Sequence, residues 1–530
     1  MAAVDLGREP ADGSFDHPIS KRRYQVVRKD GQLLHRELLR TDGPGEVVLS
    51  EYPVKYVVGS GRHSLTYLVE TEGFLVESPV TWYASKKAWG MSPGYDRKEH
   101  SGFERAVGAS CLVCHAGRAD PVGGSLHRMD IKEAAISCER CHGPGALHVE
   151  RHSGSGRTDS AADRFDETIV NPAHLSRDLA EAVCQQCHLR SSASVLPCGR
   201  KLDDFRPGLP LEDFLHEFRL DTPNEEMAVV GHVEQMHLSR CYQESETFSC
   251  LTCHNPHDEP SPHRREAYYK DTCLRCHQPE ACKVDPAVRH VRSPSNNCVR
   301  CHMPTSATEI PHLAFTHHRV GIHEPREGTG SPSARTSVLA DLEPVLDHSR
   351  VGAIDRRRSL GLAYRKVADQ SKDASLAERY RVRALKLLTK VRSEGLRDGV
   401  VDAALAYLHF DLGLEGVVPL AEGALADGNL DAQERCNVLF LIAESLARAG
   451  RHAEAIPKLR ELTTLRRRSL QMLLLADCER AAGNPGFIQS LEGAVRINPR
   501  LWKVHKLLAD HYRRRGEEER AEYHQKRAVP

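Results

Sequence analysis

Cysteine and histidine recur in one fixed arrangement in the middle of the chain. Six times, two cysteines three positions apart are followed directly by a histidine. Sulfurs at this spacing lie on one side of a helical turn, where both can bond to the vinyl groups of one porphyrin. The adjacent histidine then places a ring nitrogen on the iron. The motifs, numbered first to sixth in chain order, are Cys111-Cys114-His115, Cys138-Cys141-His142, Cys184-Cys187-His188, Cys250-Cys253-His254, Cys273-Cys276-His277 and Cys298-Cys301-His302.

Composition does not account for six copies of this motif. A chain of 530 residues with 17 cysteines and 30 histidines would carry roughly 0.03 copies by chance. Zinc knuckles also combine paired cysteines with histidine, but zinc does not require a histidine directly after every second cysteine. A disulfide scaffold needs no such histidines either. The sequence therefore predicts six covalently attached haem c groups, with the motif cysteines as thioether attachment points and the motif histidines as proximal iron ligands.

The second axial ligand decides what each haem can do. Iron with two histidines shuttles electrons, whereas iron with an open position can bind and transform a substrate. Sixteen histidines outside the motifs lie between His63 and His323, more than six haems need. Methionine is a further option, but histidine is the favoured ligand. The candidate distal ligands are His100, His148, His237, His257, His290 and His318.

Sequence context singles out three of these candidates. His148 follows the rigid turn Gly143-Pro144-Gly145, which would aim it at a neighbouring haem. His257 comes three residues after His254, too near to cap the same haem but well placed for an adjacent one. His318 lies just after the last motif. For every candidate, the alternative is a surface or hydrogen-bonding histidine.

Three further cysteines in this region, Cys198, Cys241 and Cys282, belong to no motif. Cys198 and Cys241 could pair or coordinate, but the default expectation for each is a buried, inert thiol. The first cysteines of successive motifs are separated by 27, 46, 66, 23 and 25 residues, and the short gaps predict closely stacked haem pairs. The longest gap contains residues 205–220, whose pattern predicts a loop and then a helix. This insertion either covers a haem face or a substrate channel or serves as packing.

The chain divides into regions of different texture, which predicts a mixed fold. Short runs of β-branched and aromatic residues between Tyr24 and Tyr83, separated by turn signals such as Lys29-Asp30-Gly31, predict a small β-rich domain over 1–98. Residues 99–325 show little periodicity, as expected of short helices and loops packed around six haems. Glycine, serine and proline mark a linker over 326–350.

The remaining region, 351–530, is rich in alanine and leucine at helical spacing and contains a repeat. Gly450, Gly483 and Gly516 are each 33 residues apart, and an alanine precedes each glycine by seven residues. A small residue where helices cross, followed by a glycine turn, is typical of tetratricopeptide-type hairpins. Pro457 departs from the ideal repeat. Generic helical hairpins are the alternative. Stacked repeats form concave surfaces, so we expect this region to dock a partner protein.

With these motifs in view, the chain resembles the multihaem cytochromes c that carry a C-terminal tetratricopeptide region and doubled C-x-x-C-H motifs. The block Cys138–His148 is also similar to the tetrahaem electron carriers of nitrifying bacteria. The resemblance implies an exported electron-transfer protein with mostly bis-histidine haems, and His148, His257 and His318 as distal ligands. It rests on CHGPGALH from Cys141, CLTCHNPH from Cys250, CHMPT from Cys301, the later FTHHR, and VGSGRH before the first motif.

Charge and hydropathy argue against some classes of binding partner. Lysine plus arginine equals aspartate plus glutamate, 73 against 73, which argues against nucleic acid or an anionic membrane as a general partner. No stretch is apolar enough for an integral membrane segment. The N-terminus lacks an export signal although haem c is attached outside the cytoplasm, so we expect the natural start to lie upstream or to have been processed, and the protein to be periplasmic or otherwise exported.

Three functions are consistent with these features. The favoured one is an electron-transfer protein, with redox partners docked partly by the repeats. The second is a haem-dependent oxidoreductase in which one open iron acts on a small nitrogen or sulfur compound. The third is a zinc-based interaction protein, which a colourless purified product would indicate.

Overall fold

The computed structural model describes residues 1–40, 45–153, 166–189, 191–220, 231–305, 316–323 and 339–529. The chain forms two compact units. The first contains Met1–Ile136 and Leu385–Pro530, and the second contains Ser137–Ala384. The first motif therefore belongs to a unit with the N-terminal strands and most of the C-terminal helices, and the other five motifs belong to the second unit. The domain boundaries predicted above remain predictions, and residues 326–338 of the predicted linker lie outside the described residues.

The N-terminal region is β-rich, as predicted. Seven strands, β2 to β8, follow one another in an antiparallel meander, and β1 pairs with β5. The bounds are β1 (Ala2–Ala3), β2 (Gly13–His17), β3 (Arg22–Lys29), β4 (Gln32–Arg40), β5 (Glu46–Val58), β6 (Ser64–Thr71), β7 (Phe74–Tyr83) and β8 (Ala88–Met91).

Alternation along the strands builds the core of this sheet. Tyr24 and Val26 on β3 point to the same side and are buried against Tyr67 and Val69 of β6, as the period of two requires. The predicted turn after β3 consists of Asp30 and Gly31, both with positive φ (52° and 75°). Positive φ at both positions is the geometry of a two-residue hairpin loop.

Short helices and small strand pairs make up the region of the motifs. The helices are α1 (Ala109–His115), α2 (Cys138–His142), α3 (Ala146–Ser153), α4 (Arg177–His188), α5 (His232–His237), α6 (Arg240–Gln243), α7 (Cys250–Cys253), α8 (Arg265–Leu274), α9 (Pro286–Arg292) and α10 (Cys298–His302). The strands are β9 (Arg118–Pro121), which pairs with β10 (Met129–Glu133), and β11 (Ala193–Val195), β12 (His216–Leu220) and β13 (Leu342–Pro344), which form a three-stranded sheet.

The helix predicted within residues 205–220 is wrong. The only helical turn there among the described residues is the 3-10 turn Leu211–Asp213, and His216–Leu220 is the central strand β12. Pro207 and Pro210 interrupt any helix before this point. Strand partners on both sides then outweigh the helical propensity of the segment, because propensity is only a weak preference.

The C-terminal region is helical, as predicted. Four consecutive helix pairs pack as hairpins: α13 on α14, α15 on α16, α17 on α18 and α19 on α20. The bounds are α11 (Ala353–Gln370), α12 (Ala374–Ser393), α13 (Gly399–Asp411), α14 (Val417–Asp427), α15 (Ala432–Arg448), α16 (His452–Leu465), α17 (Ser469–Ala481), α18 (Phe487–Ile497), α19 (Trp502–Arg514) and α20 (Glu518–Gln525). No helix in the described part of the chain has the length and apolar content needed to cross a membrane.

The repeated glycines lie in the turns of three of these hairpins. Gly450, Gly483 and Gly516 have φ of 74°, 71° and 74°, the left-handed region in which glycine ends helices without a steric cost. The alanine seven residues earlier in each repeat is buried, as Ala443 shows in the first hairpin of the three. A 33-residue period in the sequence therefore corresponds to one helical hairpin per repeat.

Candidate haem-binding site

Each motif lies on a helical turn or at the end of one. The first, second and sixth motifs fall within α1, α2 and α10, and the third ends α4. The cysteines of the fourth motif begin and end α7, and the fifth motif starts at the end of α8 and continues in the turn that follows, where Cys276 and His277 donate to the carbonyl oxygen of Cys273. Residues three apart on a helix lie on the same side. Both cysteines of a motif are therefore presented together, with the histidine at or just beyond the end of the helix.

Backbone carbonyls orient two of the motif histidines. Nδ1 of His142 donates to the carbonyl oxygen of Val170 at 2.7 Å, and Nδ1 of His302 donates to that of Gly321 at 2.9 Å. A proton held on Nδ1 leaves the lone pair on Nε2, the tautomer that a metal-binding imidazole needs. This donor arrangement fits a proximal haem ligand.

Three motif histidines each lie opposite a histidine from outside the motifs. The ring centroids of His142 and His257 are 5.8 Å apart with planes inclined by 13°. Imidazole nitrogen lies about 2 Å from a metal that it binds, so two rings flanking one metal have centroids about 6 Å apart. The other pairs are His188 with His232 (5.6 Å, 15°) and His254 with His318 (6.3 Å, 27°).

The pairs of the third and fourth motifs are adjacent, because their two non-motif histidines stack on each other. The rings of His232 and His318 are 4.1 Å apart, centroid to centroid. Desolvation, with the neighbouring histidines, lowers the pKa of His232 to about 3 and that of His318 to about 4. Both rings are therefore neutral at physiological pH, and a neutral imidazole is the form that binds a metal.

Cysteines of different motifs also lie together. The thiols of Cys184 in the third motif and Cys250 in the fourth are close enough for each to shift the pKa of the other, and burial together with Cys298 of the sixth motif raises the pKa of Cys273 in the fifth. The attachment points of these motifs are therefore direct neighbours in space. The expectation of a buried thiol is wrong for Cys198, which is exposed in a loop.

A cavity of about 460 Å³ lies beside His142. Its apolar walls include Ile169, Val170 and Leu175, which follow the second motif. Apolar walls near a histidine suit a porphyrin, because the ring system is itself a large apolar surface. The donor chemistry and this cavity fit haem c at the second motif.

The other predicted distal ligands have different surroundings. Nδ1 of His148 is 2.8 Å from Oδ2 of Asp166, and Nε2 of His152 lies at 2.8 Å from the same oxygen. These three side chains bring their ligand atoms within 4.8 Å of one another, an arrangement that could also hold a metal ion. His290, on α9, is exposed.

Two of the predicted distal ligands, His237 and His100, are hydrogen-bonded to other protein groups. Nε2 of His237 donates to the buried carboxylate of Glu181 at 2.8 Å. His100 uses both ring nitrogens: Nε2 lies 2.9 Å from the hydroxyl of Tyr24, and Nδ1 accepts from the backbone N–H of Gly102 at 3.1 Å. These contacts favour a structural role for His100, whose place among the distal ligands remains a prediction.

The sequence analysis missed His232. It lies at the start of α5, five residues before His237, and nothing in the local sequence distinguishes the two. Only the fold places His232 opposite His188 and leaves His237 beside Glu181. The surplus of histidines was the one available signal.

Comparisons with known proteins agree with the motif chemistry. Residues 244–282 match a family model described as a doubled CXXCH motif, a stretch that contains the fourth and fifth motifs. No curated protein matches the chain. Among solved structures, MamA from AMB-1 is 21% identical over 33% of this chain and 95% of its own, with a TM-score of 0.26. MamA from Desulfovibrio magneticus RS-1 is 17% identical over 32% and 92%, with a TM-score of 0.25. The doubled motif supports covalently bound haem c and a cytochrome role for this chain.

Proposed function

We propose that this chain is a multihaem c-type cytochrome that transfers electrons along six covalently attached haems. The observation that carries the proposal is the set of three histidine pairs, each made of one motif histidine and one histidine from elsewhere. Their spacing, near 6 Å, suits one metal between two rings. Two strong axial ligands leave no position for a substrate, which favours electron transfer over catalysis.

In this proposal the pairs hold the haems of the second, third and fourth motifs. His142, His188 and His254 are the proximal ligands, and the distal ligands are His257, His232 and His318 in the same order. When bound, haem supplies an iron that alternates between two oxidation states. The chain attaches the ring through its thioethers, keeps His232 and His318 neutral by burying them, and orients His142 through the carbonyl oxygen of Val170.

The neighbouring motifs support a relay. The paired cysteines Cys184 and Cys250, and Cys273 and Cys298, place the attachment points of the third and fourth, and of the fifth and sixth, haems side by side. The contact between His232 and His318 brings the axial ligands of two haems together as well. Electrons would pass between such neighbours over short distances.

Export and docking complete the proposal. Because haem c is attached outside the cytoplasm, we place the protein in the periplasm or another exported location. In this proposal the helical hairpins stack as tetratricopeptide-type repeats, and the concave surface that such repeats form receives a redox partner protein.

Haem content and spin state test this function. The chain is produced behind an export signal in a host that matures c-type cytochromes, and haem is quantified by the pyridine haemochrome assay. Electron paramagnetic resonance then gives the spin state. About six haems per chain, all low-spin, are expected. A colourless protein would contradict the proposal, and a high-spin haem would favour the alternative, an oxidoreductase acting on a small nitrogen or sulfur compound.

A further inference from the structure

The turn between α16 and α17 is bonded to the loop that follows the first motif. The backbone N–H of Leu126 donates to the carbonyl oxygen of Leu465 at 3.0 Å, and the hydroxyl of Ser125 donates to the same oxygen at 2.7 Å. The backbone N–H of Arg467 donates to Nε2 of His127 at 3.0 Å. Three consecutive residues after the motif are thus held by the helical repeats.

His127 is the centre of this junction. It is fully buried, and its Nδ1 donates to the carbonyl oxygen of Leu75 on β7 at 3.0 Å. The backbone N–H of Leu75 donates in return to the carbonyl oxygen of His127 at 2.7 Å, and Val107 donates to Leu75 at 3.0 Å. The loop is therefore fixed to the sheet on one side and to the repeats on the other.

Arg467 reaches the segment that precedes the first motif. Its side chain is buried, and its guanidinium donates to the carbonyl oxygen of Phe103 and to the hydroxyl of Tyr52, each at 3.3 Å. Two residues later, Ser469 donates to the carboxylate of Glu104 through its backbone N–H at 2.8 Å and its hydroxyl at 3.0 Å. The same turn is thus hydrogen-bonded to the segment before the first motif and to the loop after it.

These contacts extend to the motif through Gly108. This residue caps the N-terminus of α1, and its carbonyl accepts from the backbone N–H of Cys111 at 3.1 Å. A Cβ at position 108 would come within 2.4 Å of the carbonyl oxygen of Leu126. The start of the motif helix therefore lies against the backbone of Leu126, and the backbone N–H of Leu126 is bonded to the carbonyl oxygen of Leu465.

We propose that the helical repeats position the first haem, and that Arg467 is the positioning residue. The α16–α17 turn is bonded to the chain both before and after Cys111 and Cys114. It therefore fixes the position of the first haem's attachment points relative to the sheet. This role goes beyond docking a partner protein, because it is performed inside the chain. It rests on the proposed attachment of haem at the first motif.

The test uses the full-length holoprotein with Arg467→Ala and a matched control, Arg460→Ala. Arg460, on α16, pairs at 2.8 Å with the buried carboxylate of Glu479 on α17. Arg467→Ala is expected to shift the midpoint potential and low-spin signal of one haem and to leave the others unchanged. In a background where Cys111→Ala and Cys114→Ala remove the first haem, Arg467→Ala should leave the midpoint potentials and spin signals of the remaining haems unchanged.

A second readout does not depend on haem. Amide hydrogen exchange at residues 103–108 is expected to become about tenfold faster in Arg467→Ala, because the buried charged donor to the carbonyl oxygen of Phe103 is lost, and to stay unchanged in Arg460→Ala. If Arg467→Ala does not accumulate, Ser469→Ala removes one bond of the same turn and is expected to give the same local loss of protection.

Unchanged potentials together with unchanged exchange in Arg467→Ala would overturn the positioning role. Equal changes in the Arg460→Ala control would overturn it too, since they would show a general loss of stability. A protein without haem at Cys111 would instead contradict the proposed function at this motif, and the exchange readout would still decide whether the repeats hold the segment.

Discussion

The rings of His232 and His318 lie in contact, with centroids 4.1 Å apart and planes inclined by 26°. One ring comes from α5 and the other from a segment beyond the sixth motif, and each also lies near a motif histidine, His188 for His232 and His254 for His318. Four imidazoles from four separate parts of the sequence therefore form one cluster. In a bis-histidine cytochrome, this cluster would couple the third and fourth haems through their distal ligands.

Removing a proposed distal ligand is expected to convert one haem from low spin to high spin. His257→Ala should do so at the second motif, because His142 would lose the ring that faces it at 5.8 Å. Electron paramagnetic resonance of the purified protein measures the conversion. The exposed neighbour His263 provides the control, and His263→Ala should retain the parent spectrum. A wholly low-spin His257→Ala protein would exclude this assignment.

A comparison on one helix tests His232. We expect His232→Ala to produce one high-spin haem and to alter the low-spin signal of the haem next to His318, since the two rings touch. His237→Ala, five residues later on the same helix, should leave all haems low-spin because its Nε2 is bonded to Glu181. The opposite result for the two variants would assign His237 as the ligand and reject His232.

Acid is expected to destabilise the N-terminal sheet through His35. Burial lowers its pKa to about 3 in the folded protein, whereas an unfolded histidine has a pKa of about 6.5. Above pH 6.5 the ring is neutral in both states. As pH falls below that value, the unfolded chain takes up a proton that the folded chain rejects, so stability falls by up to about 1.4 kcal/mol per pH unit.

Amide exchange of the sheet strands between pH 7 and 5 measures this loss. The variant His35→Gln keeps a donor for the hydroxyl of Ser78, which lies 2.8 Å from Nδ1 of His35, but it cannot take up the proton. Its stability should therefore depend less steeply on pH. Equal slopes for the variant and the parent protein would show that His35 is not the responsible group.

Two glycines of the helical hairpins should respond to alanine in opposite directions. Gly450, with φ of 74°, lies in a turn, so Gly450→Ala is expected to cost about 1 kcal/mol of unfolding free energy. Gly423 is exposed within α14, and a Cβ there meets only ordinary contacts. Gly423→Ala should therefore stabilise the region by about 0.5–1 kcal/mol.

Thermal unfolding followed by far-ultraviolet circular dichroism measures both variants. The melting temperature of the helical signal should fall for Gly450→Ala and rise for Gly423→Ala. A gain in stability at Gly450 would contradict the left-handed turn and, with it, the structural basis of the 33-residue repeat.

Features that depend on neighbours in sequence were predictable. The C-x-x-C-H motifs work within one helical turn, so spacing alone identifies the attachment chemistry. Runs of β-branched and aromatic residues between Tyr24 and Tyr83 predicted the β-rich domain, and the turn at Asp30-Gly31 followed from the backbone freedom of its residues. The period from Gly450 to Gly516 predicted helical hairpins, because each repeat must pack against the next in the same way.

Features that depend on distant residues required the tertiary structure. Residues 216–220 form a strand because β11 and β13 supply its hydrogen bonds, and no local pattern records that pairing. His232 and His237 share one short helix, yet one faces a motif histidine and the other a buried carboxylate.

The sequence by itself therefore determined the covalent chemistry, the β-rich N-terminus and the helical repeats, since short-range geometry is encoded by adjacent side chains. The tertiary structure alone decided which histidines face one another and that the turn containing Arg467 holds the segment around the first motif. The physical reason is that these contacts join residues up to hundreds of positions apart. Their partners are chosen by the packing of the whole unit and not by any local preference.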